Sequence, residues 1–288
     1  MAHEPRRGVD LIEGVTVGHW TDADARTGCT VLVFPEGTVA SGEVRGGAPA
    51  TREFALLAPE RSVAAVHALC LSGGSAFGLA ACDGVMTELE RRGVGYPTPE
   101  GPVPIVVGLS LYDLGVGDGS VRPGPTQGRD ALLAASDRPL HPGREGVGAG
   151  ATIGKWDDPD DATPGGLGVA KVDHDGVAVM AVVAVNAAGW LDDGTDRAPR
   201  QGAQPFGTDT TIGAVITDAS LDKVGCLHLA QAAHDGLARA VVPAHTGRDG
   251  DAFVAASTHG ADRADGDLLR WMATAATEQA IASVASES

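Results

Sequence analysis

The longest uninterrupted apolar run of the chain extends from Val177 to Val185 and strongly restricts the possible fold. Nine residues fall well short of the roughly twenty that a bilayer-spanning helix needs, but they suit a buried β-strand. A second apolar segment, residues 167–172, precedes this run. The two are separated by the sequence DHDG at 173–176, whose Asp-Gly ending favours a hairpin turn. The pattern predicts a buried β-hairpin and no membrane-spanning segment.

Strand-like and helix-like segments alternate along the rest of the chain. The helix-like segments have apolar residues at three- and four-residue steps, and Asp218 is the expected N-cap of the third. The predicted strands cover 27–34, 63–71, 103–109, 167–172, 177–186 and 210–217, and the predicted helices cover 76–91, 129–136, 221–241 and 265–285. Because no repeat and no Pro/Ser linker divides the chain, we expect one α/β domain over residues 1–288.

Composition excludes several classes of protein. The chain has 41 glycines and only 4% aromatic residues, so its elements must pack with backbone close to backbone. Its formal charge of −17 would repel nucleic acid and anionic membranes. The first fifteen residues lack the apolar stretch of a secretory signal, which predicts a cytoplasmic protein. The four cysteines are scattered without a CxxC pair, so we expect buried thiols rather than disulfides.

The glycine-rich turn and the histidines do not match familiar catalytic or metal-binding motifs. The turn SGGSAFG at 72–78 has neither the G-x-S-x-G of a nucleophile elbow nor the G-x-G-x-x-G of a dinucleotide loop. Its glycines are expected to permit a tight turn and close strand–helix packing. None of the nine histidines forms a metal-binding pair at i,i+4 spacing, so no metal and no cofactor is predicted. A Ser-His-Asp triad stays open as a minor alternative.

A more specific signal lies where a polar segment, residues 191–208, meets a predicted strand. The junction reads FGTDTTI at 206–212, so hydroxyl side chains stand at the end of an exposed segment and at the start of a rigid one. A nucleophile could be accessible and firmly held there. Threonine pairs are also common in ordinary strands, which leaves a purely structural interpretation open. We expect residues 112–128 and 191–208 to shape the entrance of any pocket, and the acidic residues 157–164 to be exposed.

Seven segments in the same order resemble the P1 peptidase family, which includes L-aminopeptidase/D-esterases, β-peptidyl aminopeptidases and nylon-oligomer hydrolases. They are GHWTDADARTGCTVLVFPEG (18–37), VRGGAPATRE (44–53), LSGGSAFGLAACDGVM (71–86), VGAGATIGK (147–155), AVNAAG (184–189), TTIGAVITDA (210–219) and AAHDGLARAVVPAHTGRDGD (232–251). The resemblance implies an αββα sandwich similar to that of the N-terminal-nucleophile hydrolases. It also implies a precursor that cleaves itself ahead of a Ser or Thr.

The resemblance places the nucleophile at Thr210, giving a large chain 1–209 and a small chain 210–288. The nylon-hydrolase branch has Asn-Thr-Thr-Ile at this junction, whereas this chain has Asp209 before Thr210. That departure makes self-cleavage harder to predict. If it slows the reaction, replacing Asp209 with Asn should accelerate it.

Four further residues match positions of the family's site. Asn186 matches an asparagine associated with the oxyanion, and Lys155 matches a lysine near the nucleophile. Asp249 and Asp251 match a pair of polar residues that supports the nucleophile, and both carboxylates are expected to orient Lys155 and the amine. The freed α-amine, with an unperturbed pKa of about 8, would act as the base for the threonine hydroxyl.

The resulting hypothesis is a self-processing aminopeptidase or amidohydrolase that releases N-terminal residues from short peptides, amides or esters. The family implies a homo-oligomer, typically a tetramer of processed pairs. A nylon-oligomer-type endo-amidase is an alternative, and so is an unprocessed binding or scaffold protein. The sequence does not identify the substrate.

Overall fold

The structure is a computed structural model that describes residues 8–195, 209–262 and 264–284. Its strands are β1 Thr16–Asp22, β2 Thr27–Val33, β3 Val39–Val44, β4 Ala50–Arg52, β5 Ala68–Ser72, β6 Tyr96–Thr98, β7 Gly101–Val103, β8 Val106–Ser110, β9 Thr152–Ile153, β10 Thr163–Pro164, β11 Gly166–His174, β12 Val177–Val185, β13 Trp190–Leu191, β14 Ile212–Ala219, β15 Val241–Val242 and β16 Ala252–Ala261. Its helices are α1 Ala81–Arg91, α2 Pro125–Leu133, α3 Lys223–Ala240 and α4 Gly266–Val284. Short 3₁₀ helices cover Phe54–Leu57, Ser75–Ala80, Gly146–Gly148 and Pro159–Asp161.

Two five-stranded mixed sheets form the centre of the fold. The first has the order β1-β2-β5-β8-β4, and the second has the order β11-β12-β14-β16-β3. Within each sheet one neighbouring pair is parallel, β5 with β8 and β14 with β16, and the other pairs are antiparallel. Three two-stranded sheets, β6-β7, β9-β10 and β13-β15, complete the described strands.

The sheets and helices stack in four layers. Apolar side chains of both sheets meet in a central core, with Leu71 and Leu109 from the first sheet and Met180 and Ile216 from the second. A second core joins the outer face of the β11–β3 sheet to α3 and α4, and a third joins β2 and β5 to α1 and α2. Because β12 contributes to both of its neighbouring cores, all nine of its residues are buried. The predicted αββα sandwich is confirmed.

The predicted hairpin is also confirmed. β11 and β12 pair antiparallel from Gly166↔Val185 to His174↔Val177. The two residues between them, Asp175 and Gly176, have φ of 49° and 79°, as a type I′ turn requires. The hairpin packs closely against α4 at Gly168, where an added Cβ would lie 2.0 Å from the carbonyl oxygen of Ala280.

Some predicted boundaries are wrong. The helix expected at 129–136 begins at Pro125, because proline suits the first turn, where its missing N–H would have no partner. Strand β14 begins at Ile212 rather than Thr210. Of the segment 63–71, only the part from Ala68 onward belongs to strand β5.

The predicted cap of α3 is wrong as well. Asp222 caps the helix by accepting a hydrogen bond from the Gly225 amide at 2.8 Å. Asp218 instead accepts from the Ala178 amide at 2.8 Å and so fastens β14 to the start of β12. With the helix starting at Lys223, Val224 points outward and is 48% exposed.

The remaining expectations concern cysteines and loops. All four cysteines are buried free thiols. In the acidic segment 157–164, Asp158, Asp160 and Asp161 are exposed, as predicted, whereas Asp157 is half-buried. Most of the polar segment 191–208 lies outside the described residues, which resume at Asp209. No helix of the described ranges combines the length and apolar character needed to cross a membrane.

Candidate active site

Strand order brings the predicted site residues to one edge of the second sheet. β14 and β16 are parallel, with Ile212 opposite Ala252, so the residues just before each strand lie side by side. Asp209 and Asp249 form an isolated parallel bridge there. β12 runs antiparallel to β14, with Ala184 opposite Ile212, which brings its carboxyl end and Asn186 to the same edge.

The Asp209–Thr210 peptide is held firmly at this edge. The Thr210 amide donates to the Asn186 carbonyl oxygen at 2.8 Å. The Thr210 hydroxyl donates to the carbonyl oxygen of Asp209, which also accepts from the Gly250 amide at 2.9 Å. The hydroxyl thus lies against the carbonyl that it would attack, and a backbone N–H already points at the oxygen that would become negative.

Gly250 is needed where Thr210 and the neighbouring chain approach it. A Cβ added to Gly250 would lie 2.8 Å from Thr210 Oγ1 and 2.6 Å from the Ala48 carbonyl oxygen. Both distances are below those of real Cβ contacts. Glycine at this position therefore lets the Thr210 hydroxyl and the Gly250 amide approach the same carbonyl oxygen.

Lys155 and Asp209 form an ion pair inside the site. The Lys155 ammonium lies 2.7 Å from Asp209 Oδ1, and the Asp209 side chain is 1% exposed. Lys155 also donates to Asn186 Oδ1 at 3.0 Å. Burial lowers the pKa of Lys155, and the charge of Asp209 opposes that shift.

The Asn186 side chain is completely buried and connects three parts of the site. Its Oδ1 accepts from Lys155 and from the Thr152 amide at 3.0 Å, and its Nδ2 donates to the Tyr112 carbonyl oxygen at 3.0 Å. An amide nitrogen carries two hydrogens, so Nδ2 has a second donor for an oxyanion. The Asp209 carbonyl oxygen takes its backbone hydrogen bond from Gly250.

Asp249 fastens the loop at Thr246 to the end of β12. Its carboxylate accepts from the Ala188 amide at 3.1 Å, the Thr246 amide at 3.2 Å and the Thr246 hydroxyl. Burial, followed by the negative charge of Asp251, raises the pKa of Asp249 to about 6.

Asp251 holds Thr211, the residue that follows Thr210. Its Oδ1 accepts from the Thr211 amide at 2.8 Å, and its Oδ2 accepts from the His245 amide at 3.0 Å and contacts His245 Nδ1 at 2.9 Å. Burial lowers the pKa of His245, but the hydrogen bond and charge of Asp251 outweigh it and leave that pKa raised. The ring of His245 packs edge-on against His234.

The structure thus brings Thr210, Asn186, Lys155, Asp249 and Asp251 to one place. In this uncleaved chain Lys155 pairs with Asp209, and Asp251 accepts from the amide of Thr211, the residue after Thr210. The carboxylate of Asp249 accepts from Ala188 and Thr246 instead. The expected contact of these carboxylates with a free α-amine stays a prediction for the cleaved chain.

A cavity of about 560 Å³ opens onto the ion pair. Lys155, Asp209 and Thr152 line it, together with Tyr112 and residues 115–117 from one of the two loops predicted to shape a pocket entrance. Arg26 adds a second cation to the lining. The other predicted loop falls mainly on residues 196–208, outside the described ranges. Within those ranges, no cluster of three or more His, Cys, Asp or Glu side chains could hold a metal ion.

Sequence reasoning missed Gly250 and His245. Gly250 lies between Asp249 and Asp251 in one of the matched segments, and this position could have pointed to it. A glycine between two acidic residues is, however, usually interpreted as part of a turn and not as a backbone hydrogen-bond donor. His245 precedes Asp251 by six residues, and only the folded loop reveals their contact. In the turn at 72–78, Asp113 accepts from the Gly74 amide at 2.6 Å, in agreement with the structural interpretation of those glycines.

The chain is similar to known proteins in sequence and in fold. The sequence profile of Peptidase family S58 matches residues 9–288. An uncharacterized aminopeptidase of Mycobacterium leprae is 39% identical over 293 residues, covering 88% of this chain and 79% of the relative. A 6-aminohexanoate-oligomer endohydrolase of Kocuria sp. is 29% identical over 270 residues, covering 85% and 73%.

Among solved structures, the L-aminopeptidase D-Ala-esterase/amidase of Ochrobactrum anthropi, described as a variant of the Ntn hydrolase fold, superposes with a TM-score of 0.75. It is 20% identical, and the match covers 97% of this chain and 88% of that one. The profile match over nearly the whole sequence confirms the predicted resemblance: the chain belongs to Peptidase family S58 and is a hydrolase that acts on C–N bonds.

Proposed function

We propose that the chain cleaves its own Asp209–Thr210 bond and then acts as an aminopeptidase or amidohydrolase with Thr210 as the N-terminal nucleophile. One observation carries the proposal: the Thr210 hydroxyl contacts the Asp209 carbonyl oxygen while the Gly250 N–H donates to that same oxygen. A nucleophile and an oxyanion donor therefore converge on one peptide bond.

Self-cleavage exchanges an amide for an ester and then hydrolyses the ester. Thr210 Oγ1 attacks the Asp209 carbonyl carbon, the C–N bond breaks, and the hydroxyl proton ends on the Thr210 nitrogen. Water then attacks the ester carbon, which releases the Asp209 carboxylate and restores the hydroxyl. The Gly250 N–H would stabilise the negative oxygen of both tetrahedral intermediates.

The mature enzyme would repeat this chemistry on a substrate. The freed Thr210 amine, with an unperturbed pKa of about 8, takes the hydroxyl proton near neutral pH. The second N–H of Asn186 donates to the substrate's oxyanion. Lys155 discourages protonation of the amine, because two nearby positive charges repel. Asp251 holds the backbone that follows the nucleophile through the Thr211 amide, and Asp249 holds the neighbouring loop through Ala188 and Thr246.

The substrates would be short peptides, amides or esters from which an N-terminal residue is released. Aminopeptidase relatives, such as the one from Mycobacterium leprae, are more similar to this chain than the oligomer endohydrolase of Kocuria sp., which supports an exopeptidase over an endo-amidase. Assembly into tetramers of processed pairs and a cytoplasmic location are part of the same proposal.

The test is a denaturing gel and intact mass measurement of the purified protein, followed by hydrolysis assays. The proposal predicts two fragments, of about 21 and 8 kDa from the mean residue mass of the chain, and hydrolysis of aminoacyl-nitroanilides. One full-length band after prolonged incubation, without hydrolysis, would instead support the unprocessed binding or scaffold protein.

A further inference from the structure

We propose that the mature site prefers substrates whose released residue is an α-linked aspartate, bound through its side-chain carboxylate to Lys155. This inference rests on the proposed function and adds a substrate class to it. It comes from the residue that occupies the site before cleavage: Asp209 supplies the acyl group of the self-cleavage reaction.

Both ends of Asp209 are already held as a substrate would need. Its side-chain carboxylate lies 2.7 Å from the Lys155 ammonium, and its carbonyl oxygen accepts from the Gly250 amide at 2.9 Å. Asp209 and Lys155 both line the 560 Å³ cavity, so the ion pair lies where a small ligand can reach it. The chain's own scissile residue therefore shows how an aspartyl group fits beside Thr210.

Self-cleavage and the hydrolysis of an aspartyl amide would form the same ester, so the residue bound during self-cleavage indicates which substrate the site prefers. Self-cleavage passes through an aspartyl ester on Thr210 Oγ1. When the enzyme acts on an aspartyl amide, Thr210 Oγ1 attacks the carbonyl carbon, the C–N bond breaks, and the amine leaves with the proton from the hydroxyl. The product on the enzyme is again an aspartyl ester, which water hydrolyses to free aspartate. A site that stabilises the first ester is complementary to the second.

The charge of the cavity favours an anion once Asp209 becomes a chain end and can leave. Among the described residues that line the cavity, one is acidic, Asp209, and two are cationic, Lys155 and Arg26. The side chain of Lys155 is only 13% exposed, and breaking its ion pair with Asp209 is costly, because the charge of Asp249 acts on the ammonium without forming an ion pair that replaces it. A substrate carboxylate would restore the lost ion pair.

The position of Lys155 also predicts which acids fit. Its ammonium is fixed by Asn186, at 3.0 Å from Oδ1 and 3.5 Å from the backbone oxygen. The span from scissile carbonyl to ammonium therefore matches aspartate, while glutamate is one methylene longer. Asparagine has the shape of aspartate but lacks its charge, so it forms the weaker hydrogen bond. We expect aspartate to be preferred over both.

The experiment measures kcat/KM of the processed protein for the α-nitroanilides of aspartate, asparagine, glutamate and alanine. Aspartate should exceed asparagine by about tenfold or more, because asparagine leaves the buried Lys155 ammonium without the carboxylate of its ion pair. In Lys155→Gln this ratio should fall close to one. Lys171→Gln is the matched control, because Lys171 lies on β11 beside Asp173 and outside the cavity lining, so its ratio should equal that of the wild type.

A second measurement covers the case in which Lys155→Gln does not process. Free L-aspartate should then inhibit alanine-nitroanilide hydrolysis by the wild type at least tenfold more strongly than L-asparagine. Equal kcat/KM values for aspartate and asparagine, or equal inhibition by the two amino acids, would overturn the inference while leaving the hydrolase intact. Absence of processing and of hydrolysis of every nitroanilide would instead contradict the proposed function itself.

Discussion

Replacing Gly250 with alanine places a methyl group between the nucleophile and the neighbouring chain. The added Cβ would lie 2.8 Å from Thr210 Oγ1 and 2.6 Å from the Ala48 carbonyl oxygen, whereas ordinary van der Waals contact begins at 3.4 Å. The neighbours must therefore retreat by about 0.6 Å and 0.8 Å. Ala48 cannot move freely, because its amide donates to the Asp249 carbonyl oxygen at 2.9 Å. The strain falls on Thr210 and on the Gly250 amide.

Two losses follow from that displacement. A misplacement of about 1 Å in a reacting group costs on the order of a hundredfold in rate. Loss of one oxyanion donor costs about a hundredfold to a thousandfold, or roughly 3–4 kcal/mol. Since Gly250→Ala disturbs both the hydroxyl and the N–H, self-cleavage should slow by at least about a hundredfold. Crowding should cost about 1–3 kcal/mol of folding stability.

The assay follows the full-length band over time on a denaturing gel, with thermal unfolding measured in parallel. Gly266→Ala is the control, because a Cβ there meets nothing within 4 Å. It should process at the wild-type rate. If Gly250→Ala remains folded and processes within about threefold of the wild type, the assignment of Gly250 as a donor to the scissile carbonyl is wrong.

Three further predictions concern the residues around Gly250. Thr210→Ala should give a folded, uncleaved and inactive protein, whereas Thr211→Ala should retain at least partial processing; the reverse pattern on a gel would place the nucleophile one residue later. Asn186→Ala should lower kcat by about a hundredfold or more with a smaller change in KM, because an oxyanion donor acts mainly in the transition state, and a change confined to KM would contradict that role. Processing should also slow below about pH 6, because Asp249 gains a proton there and its hydrogen bonds as an acceptor weaken. Asp249→Asn should process more slowly than the wild type, and its rate should no longer fall as the pH drops below about 6. A pH profile equal to that of the wild type would remove Asp249 from the site. The pKa of Asp249 is about 6 in the folded protein and about 3.9 in the unfolded chain, so Asp249 stabilises the fold fully below about pH 3.9. This stabilisation is lost as the pH rises from about 3.9 to about 6, and thermal unfolding of the Thr210→Ala variant can measure the loss.

Elements with a strong local signal could be predicted from the sequence. The hairpin at 173–176 combines two apolar runs with an Asp-Gly pair, and its turn has the expected positive φ angles. Helix α3 shows where such reasoning fails. The sequence predicted Asp218 as its cap, but the Ala178 amide of β12 takes Asp218 as its acceptor, and Asp222 caps the helix instead. A contact across 40 residues is not visible in local spacing.

The same distinction applies to the candidate site. Matched segments identified Thr210, and the parallel pairing of β14 with β16 explains why residues about 40 positions away lie beside it. The partner of Lys155 could not be predicted, because sequence comparison treats Asp209 as a departure, whereas the structure shows its carboxylate on the Lys155 ammonium. The hydrogen bond from the Gly250 amide to the Asp209 carbonyl oxygen could not be predicted either, because nearly every residue type has a backbone N–H.

The central claim is that the Asp209–Thr210 bond breaks and Thr210 becomes a chain end. N-terminal sequencing of the small fragment, combined with the intact masses of both fragments, tests it most directly. We expect a small chain that begins Thr-Thr-Ile-Gly and a large chain that ends at Asp209. A protein that hydrolyses aminoacyl-nitroanilides while remaining full length, or a small chain that begins at any other residue, would contradict it.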